Sequence, residues 1–216
     1  MLGDSNMATS VWQESIGEFM SRVASPKPTP GGGAVATLSA CFAASLLEMV
    51  AEIASKGGAN IGEMLVIVRT ELHTLQGCVD QDIEAFNSFL AARKMPRLTE
   101  LEKTRRGELT TEALKRCADV PLAASQAALK LVPIAKNLLE VAPARVLSDL
   151  GVALLLMDSS LVGLQFNVSI NLQGTASDPA FGMLRKECEA LTADIASARQ
   201  ALGAMISRVA DKIGQS

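Results

Sequence analysis

The stretch Ser25-Pro-Lys-Pro-Thr-Pro-Gly-Gly-Gly33, running straight into Ala34-Val-Ala-Thr-Leu-Ser-Ala-Cys-Phe-Ala-Ala-Ser-Leu-Leu-Glu-Met-Val50, decides how the rest of the chain is read. Prolines at positions 26, 28 and 30 hold an extended segment with few backbone donors. Gly31, Gly32 and Gly33 then remove every Cβ where the chain turns into a helix, so another group can approach the backbone closely. The first N–H groups of that helix lack intrahelical partners and point outward. They make a seat for an anionic or electron-rich group. A stiff linker followed by a loose cap would look the same, and glycine spacing alone does not choose between them.

The Ala-rich character of this stretch extends along all 216 residues. Alanine, leucine and methionine carry the apolar content, and aromatics make up 3%, with one Trp and no Tyr. That composition suits close-packed helices better than sheets. Six or seven helices are predicted. The first covers 11–24 with Ser10 as its cap, the second 34–55 up to Gly57-Gly58, and the third 61–94 up to Pro96. The fourth follows a Thr99-x-x-Glu102 capping box and runs to about 118. A fifth starts at Pro121, is kinked or broken at Pro133 and ends at Pro143. A sixth spans 148–172 with Ser148 as cap, and a seventh spans 179–213. No alternating strand pattern is long enough to count. The expected architecture is all-α: a single-domain multi-helix bundle over 11–216 with several long helices, behind a disordered tail at 1–10. Its apolar and Ala-rich stripes exceed what six or seven helices would cover alone, so a homodimer is expected.

Several function classes are disfavoured. Net charge is −3, with no basic block and no aromatic–basic interleaving of the kind that binds nucleic acid. Cys41, Cys78, Cys117 and Cys188 are widely spaced, and His73 is the one histidine, so no metal site is expected. Free buried thiols fit a reducing cytoplasm. The N-terminus lacks a basic region followed by an apolar core, so it does not read as a secretory signal. Segments 37–54 and 147–172 are apolar enough to suggest membrane spans. They carry Glu48, Glu52, Asp149, Asp158 and Asn167, however, which are costly in lipid. Both read as core helices, with no membrane involved.

The third predicted helix has an unbroken seam: Leu65, Val68, Leu72, Leu75, Val79, Asp82, Phe86, Phe89 and Arg93 follow 3–4 spacing. Asp82 puts a carboxyl in a slot that otherwise faces a packed partner. An unpaired buried carboxylate costs several kcal/mol, roughly, so the group must be paired, protonated or functional. A structural pair with an arginine on a neighbouring helix is one outcome. A raised pKa suited to general acid–base work near neutral pH is the other. The sixth predicted helix carries an apolar seam and, beside it, a line of small or polar residues from Asp149 through Ser160 and Gly163 to Asn167 and Asn171. Asp149 and Asn171 are separated by about 33 Å of helix. They cannot serve one reacting centre within a subunit unless a second subunit brings them together. His73 and most of the basic cluster around Arg93–Arg106 read as solvated surface, although one or two of those cations could hold a carboxylate.

In order and spacing, these pieces resemble the formiminotetrahydrofolate cyclodeaminase / methenyltetrahydrofolate cyclohydrolase family. The same unit forms the cyclodeaminase half of bifunctional formiminotransferase-cyclodeaminase. The resemblance covers about residues 11–185. It is carried by Pro-Thr-Pro-Gly-Gly-Gly, Val79-Asp-Gln-Asp-Ile-Glu-Ala-Phe86, Met95-Pro-Arg97, Glu102-Lys-Thr-Arg-Arg106, Val120-Pro-Leu122, Ser148-Asp-Leu-Gly-Val-Ala153 and Phe166-Asn-Val-Ser-Ile-Asn-Leu172. It implies an all-helical homodimer, a tetrahydrofolate substrate and no metal or redox cofactor. One reaction closes 5-formimino- to 5,10-methenyl-tetrahydrofolate with loss of ammonia. The other opens the methenyl ring with water to 10-formyltetrahydrofolate. Matched to the family's segments, Asp82 is the proton-transfer group and Asp149 its partner, which binds the pterin or positions the reacting nitrogen. Gly31, Gly32, Gly33, Lys56, Arg105, Ser148, Asn167 and Asn171 are the implied substrate-binding residues, with Arg105 set toward a glutamate tail. Three places depart from the family pattern. Ala54-Ser-Lys-Gly-Gly-Ala-Asn60 keeps Lys56 as its single basic residue, Ala142-Pro143 stands near a usual Gly-Asn, and Met95-Pro96-Arg97 replaces Leu-Pro-Lys. The alternative is a relative that keeps the fold as a helical dimer and binds a small ligand or a protein partner without the chemistry.

Overall fold

The seam on the third segment becomes one straight-through helix because nothing interrupts its apolar spacing until Pro96. The structure, a computed structural model, describes residues 10–214, and its helices are α1 (Ile16–Val23), α2 (Gly32–Lys56), α3 (Gly62–Lys94), α4 (Glu100–Val141), α5 (Leu147–Leu172) and α6 (Gly182–Gly214). Short 3-10 turns at Val11–Gln13, Ala144–Val146 and Pro179–Phe181 complete the order, with no strand among the described residues. The fold is therefore all-α, with six α-helices among the described residues. Residues 1–9 of the expected tail lie outside the described residues.

Five long helices, α2 to α6, build the core, and cross-helix pairs set their register. Glu84 meets Arg116 at 3.7 Å and Glu71 meets Lys130 at 2.9 Å, so α3 and α4 run antiparallel. Gly163 approaches Ala36 and Asn167 approaches Gly32, so α2 and α5 also run antiparallel. A Cβ on Gly163 would lie 2.9 Å from that of Ala36, so the glycine is what lets these helices cross closely. Arg69 pairs with Glu48 at 2.7 Å and with Glu52, which places both acids of the apolar 37–54 segment on an outer face. α6 lies along α5 and α4, tied by Arg199 to Asp158 and by Arg208 to Glu140, each at 2.8 Å. The core is Ala- and Leu-rich, with Leu47, Leu75, Leu131, Leu150, Leu154 and Leu164 wholly buried. Helices α2 and Ala144–Leu172 are long and apolar enough to cross a membrane by length and composition. In the bundle they pack side by side as core helices.

Three boundaries differ from the sequence expectation, each for a local reason. The segment 11–24 is not one helix. Ser10 caps only the 3-10 turn, Glu14 is extended, and a capping box of Ser15 with Glu18 starts α1 afresh. The predicted fourth and fifth helices are a single 42-residue helix, α4, which opens on the expected Thr99–Glu102 box and carries Pro121 and Pro133 in its interior. Ser148 does not cap α5. The N-cap is Val146, leading on from the 3-10 turn, and Ser148 sits exposed in the first helical turn.

Candidate active site

Gly31 is the N-cap of α2, so Gly32 and Gly33 form its first turn. Asp82, two-thirds of the way along α3, lays its carboxyl directly on that turn. A Cβ on Gly33 would lie 2.3 Å from Asp82 Oδ1 and 2.8 Å from both Cγ and Oδ2. No side chain larger than hydrogen fits there without moving the acid. The seat inferred from the glycine run is thus occupied by the chain's own carboxyl group.

Burial raises the Asp82 carboxyl from 3.8 to about 6, with a hydrogen bond from the Ala34 backbone N–H pulling the other way. Its neighbours on α3 have cationic or hydroxyl partners: Glu84 has Arg116, Glu71 has Lys130, and Asp80 accepts from the Ser10 hydroxyl at 2.6 Å and the Val11 N–H at 2.9 Å. Among the described residues no lysine or arginine pairs with Asp82, so the structural salt bridge left open by the sequence is not what holds it. The side chain is only partly buried, and solvent can reach it.

Around Asp82 the structure gathers α2, α4 and α5. Asn167 Nδ2 lies 3.9 Å from where a Cβ on Gly32 would stand, and it donates to the Gly163 carbonyl at 2.7 Å. Asn171 Nδ2 donates to the Cys117 carbonyl on α4 at 2.6 Å. Cys117 is close enough to feel the aspartate: burial first, and the Asp82 charge second, push its thiol up to about 11. Cys78, one turn before Asp82, is raised by the same two causes. Thr29 ties the proline-rich segment to α3 through a hydroxyl hydrogen bond to Asn87 Oδ1 at 3.0 Å.

The other sequence-derived candidates lie elsewhere in the subunit. Lys56 is exposed at the far end of α2, about 36 Å of helix from Gly32. Ser148 and Asp149 sit in the first turn of α5, with Asp149 about 27 Å of helix from Asn167. Because α2 and α5 are antiparallel, Lys56, Ser148 and Asp149 share one end of the bundle while Gly31–Gly33, Asp82, Asn167 and Asn171 share the other. Arg105 is exposed near the start of α4, about 18 Å of helix from Cys117. Three cavities, of about 610, 580 and 380 Å³, lie between α1 and α2, at the α5–α6 corner and in the α3–α4 groove, and Asp82 lines none of them.

Two contacts were not anticipated from sequence. One is the packing of Asp82 on Gly33. The other is the Asn171–Cys117 bond, for which a signal was present: Pro121 stands four residues after Cys117 and supplies no N–H to its carbonyl.

Fold and site together define a helical-bundle protein that keeps a desolvated, cation-free carboxyl on a glycine helix start. The sequence profile of the formiminotransferase-cyclodeaminase family matches residues 15–190, and the chain belongs to that family. It is 34% identical over 188 residues to a methenyltetrahydrofolate cyclohydrolase of Methylorubrum extorquens, covering 84% of this chain and 90% of the relative. It is 29% identical over 184 residues to the rat formimidoyltransferase-cyclodeaminase, spanning 82% of this chain but only 34% of that longer protein. The fold matches the crystal structure of a formiminotetrahydrofolate cyclodeaminase from Thermotoga maritima with a TM-score of 0.78 at 27% identity, over 93% of this chain and 99% of the other.

Proposed function

We propose that this chain is a cytoplasmic enzyme of tetrahydrofolate one-carbon metabolism, with Asp82 as its proton-transfer group and tetrahydrofolate as substrate rather than resident cofactor. The observation that carries this is the Asp82 carboxyl: desolvated, raised to about 6 and without a cation, yet reachable from solvent. A group poised near neutral pH can both take and give a proton in one turnover. In the hydrolytic direction, ionised Asp82 takes a proton from water as its oxygen adds to the methenyl carbon. The resulting tetrahedral carbon then releases N5, which receives that proton from the carboxyl, and loss of the hydroxyl proton leaves the 10-formyl group. In the deaminating direction, N10 attacks the formimino carbon, its proton passes to the imino nitrogen, and a further proton lets ammonia depart to leave the methenyl cation. Neither sequence calls for a metal, and no group of three His, Cys, Asp or Glu among the described residues is arranged to hold one. Loss of methenyltetrahydrofolate absorbance and release of ammonia from formiminotetrahydrofolate, measured in parallel, test the proposal. Silence in both, with no folate binding by calorimetry, overturns it.

The active form in this proposal is a homodimer. α2 exposes Val35, Phe42 and Met49 on one face, and the neighbouring α5 exposes Val152, Leu155, Phe166 and Ile170, with Phe166 67% accessible. A row of large apolar groups on two adjacent helices suits burial by a second copy. A two-fold axis crossing the middle of this face lays the Asp82 end of one subunit beside the Lys56, Ser148 and Asp149 end of its partner. That reunites the candidates that one chain holds apart. Light scattering should report twice the 22.7 kDa chain mass, and Phe42→Glu should give a lone subunit without activity. Asp82→Asn and Asp149→Asn proteins, each inactive, should recover about a quarter of wild-type turnover when mixed under exchange conditions, because half the dimers then hold one intact site. No recovery in a freely exchanging mixture would sink the shared site.

A further inference from the structure

A proline inside a helix removes the donor that the carbonyl four residues earlier would have used. Pro121 does this to Cys117 at the level of Asp82, and Asn171 Nδ2 supplies the missing donor at 2.6 Å. A carbonyl oxygen can only accept, so the nitrogen of the Asn171 amide is the end that must face inward. Every buried side-chain N or O among the described residues has a partner. Nothing donates to Asn171 Oδ1, so that oxygen meets solvent at the half-buried residue's outer side. Asn167 is built differently. Its Nδ2 donates to the Gly163 carbonyl, which also has the helical N–H four residues on, so that bond is redundant.

We propose that Pro121 is a positioning residue: by routing the Cys117 carbonyl to Asn171 it fixes the Asn171 amide nitrogen-inward, so that Oδ1 is presented to the substrate as an acceptor. The group it reads is an N–H-bearing edge, as the ring N–H and exocyclic amine of a pterin provide, and not a carboxylate or carbonyl. This rests on the folate reading of the same site.

Three variants test it: Asn171→Ala, Pro121→Ala and the pair, each melted and each assayed with methenyltetrahydrofolate. Asn171→Ala alone leaves the Cys117 carbonyl without a donor and should lower Tm by roughly 3–6 °C, with KM raised about tenfold and kcat nearly kept. In Pro121→Ala the new N–H closes the helical bond to Cys117. Adding Asn171→Ala there should cost little further Tm, yet KM should stay raised. Recovery of KM along with Tm in the double variant would show a carbonyl cap and nothing more, and overturn the proposal. Equal Tm losses from Asn171→Ala in both backgrounds would also overturn it, because the two residues would then be uncoupled. A wild-type protein that neither turns over nor binds methenyltetrahydrofolate removes the folate reading and the substrate half of this proposal. The melting cycle still decides whether Pro121 sets Asn171.

Discussion

Replacing Asp82 by Asn should lower kcat by about 10²–10⁴-fold, the usual contribution of a positioned acid–base group, while making the protein harder to melt at neutral pH. The two effects have one cause. The folded-state carboxyl is raised from 3.8 to about 6 by burial, so the folded protein binds this proton more tightly than the unfolded chain does. Stability from the protonated group is fully present below 3.8, is lost as pH rises from there through about 6, and stays lost above it. The penalty at pH 7 is roughly 3 kcal/mol for a shift of this size and about half that at pH 5. A neutral amide escapes it. Asp82→Asn should therefore melt higher than wild type at pH 7–8, by roughly 5–10 °C, with the gap narrowing toward pH 5. The wild-type kcat/KM should fall off below about pH 6, where the base is protonated, and the residual activity of the variant should lack that limb. A variant that melts lower than wild type at pH 8 would show that the carboxylate is a structural element, and the acid–base assignment would fail.

Much of this was legible in the chain because it is written locally. The Thr99–Glu102 box, the Gly57 stop and the apolar seam of α3 each depend on residues within a few positions of one another, and all appear where expected. Asp82 stood out because an acid in a seam that is apolar but for Arg93 violates the pattern, and no lysine or arginine among the described residues pairs with it. The failures are places where a distant partner changed a local rule. Pro121 ought to begin a helix, but it lies inside α4, where its cost is offset by an amide 50 residues further on. The break between the Val11–Gln13 turn and α1 follows from Ser10 and Val11 being held by Asp80 on α3, a contact no periodicity announces. The division of the candidate residues between two ends of the bundle follows from helix length alone, and it was visible as the distance from Asp149 to Asn171. In the proposed dimer, the partner subunit decides which end meets which.

The glycine run makes a sharper demand than conformational freedom. Gly33→Ala should reduce turnover by at least about a hundredfold, because the new Cβ would stand 2.3 Å from Asp82 Oδ1, well inside any contact real side chains make. α2 cannot shift easily: one turn further on, Ala36 already meets Gly163 of α5 at the close crossing. The carboxyl must therefore swing away, giving up the Ala34 N–H and its place over the helix start. On propensity alone the change would help, since alanine favours a helix by about 1 kcal/mol over glycine, so a loss of activity here cannot be blamed on a weaker helix. Gly203→Ala on α6, away from every candidate site residue, is the control. Its Cβ would meet nothing within 4 Å, and it should keep turnover within about threefold with Tm unchanged or slightly raised. The measurement is kcat for both proteins beside their helical circular dichroism. If Gly33→Ala turns over like wild type while remaining folded, the carboxyl does not need its seat on the first turn of α2, and the geometry on which the acid–base role rests is wrong.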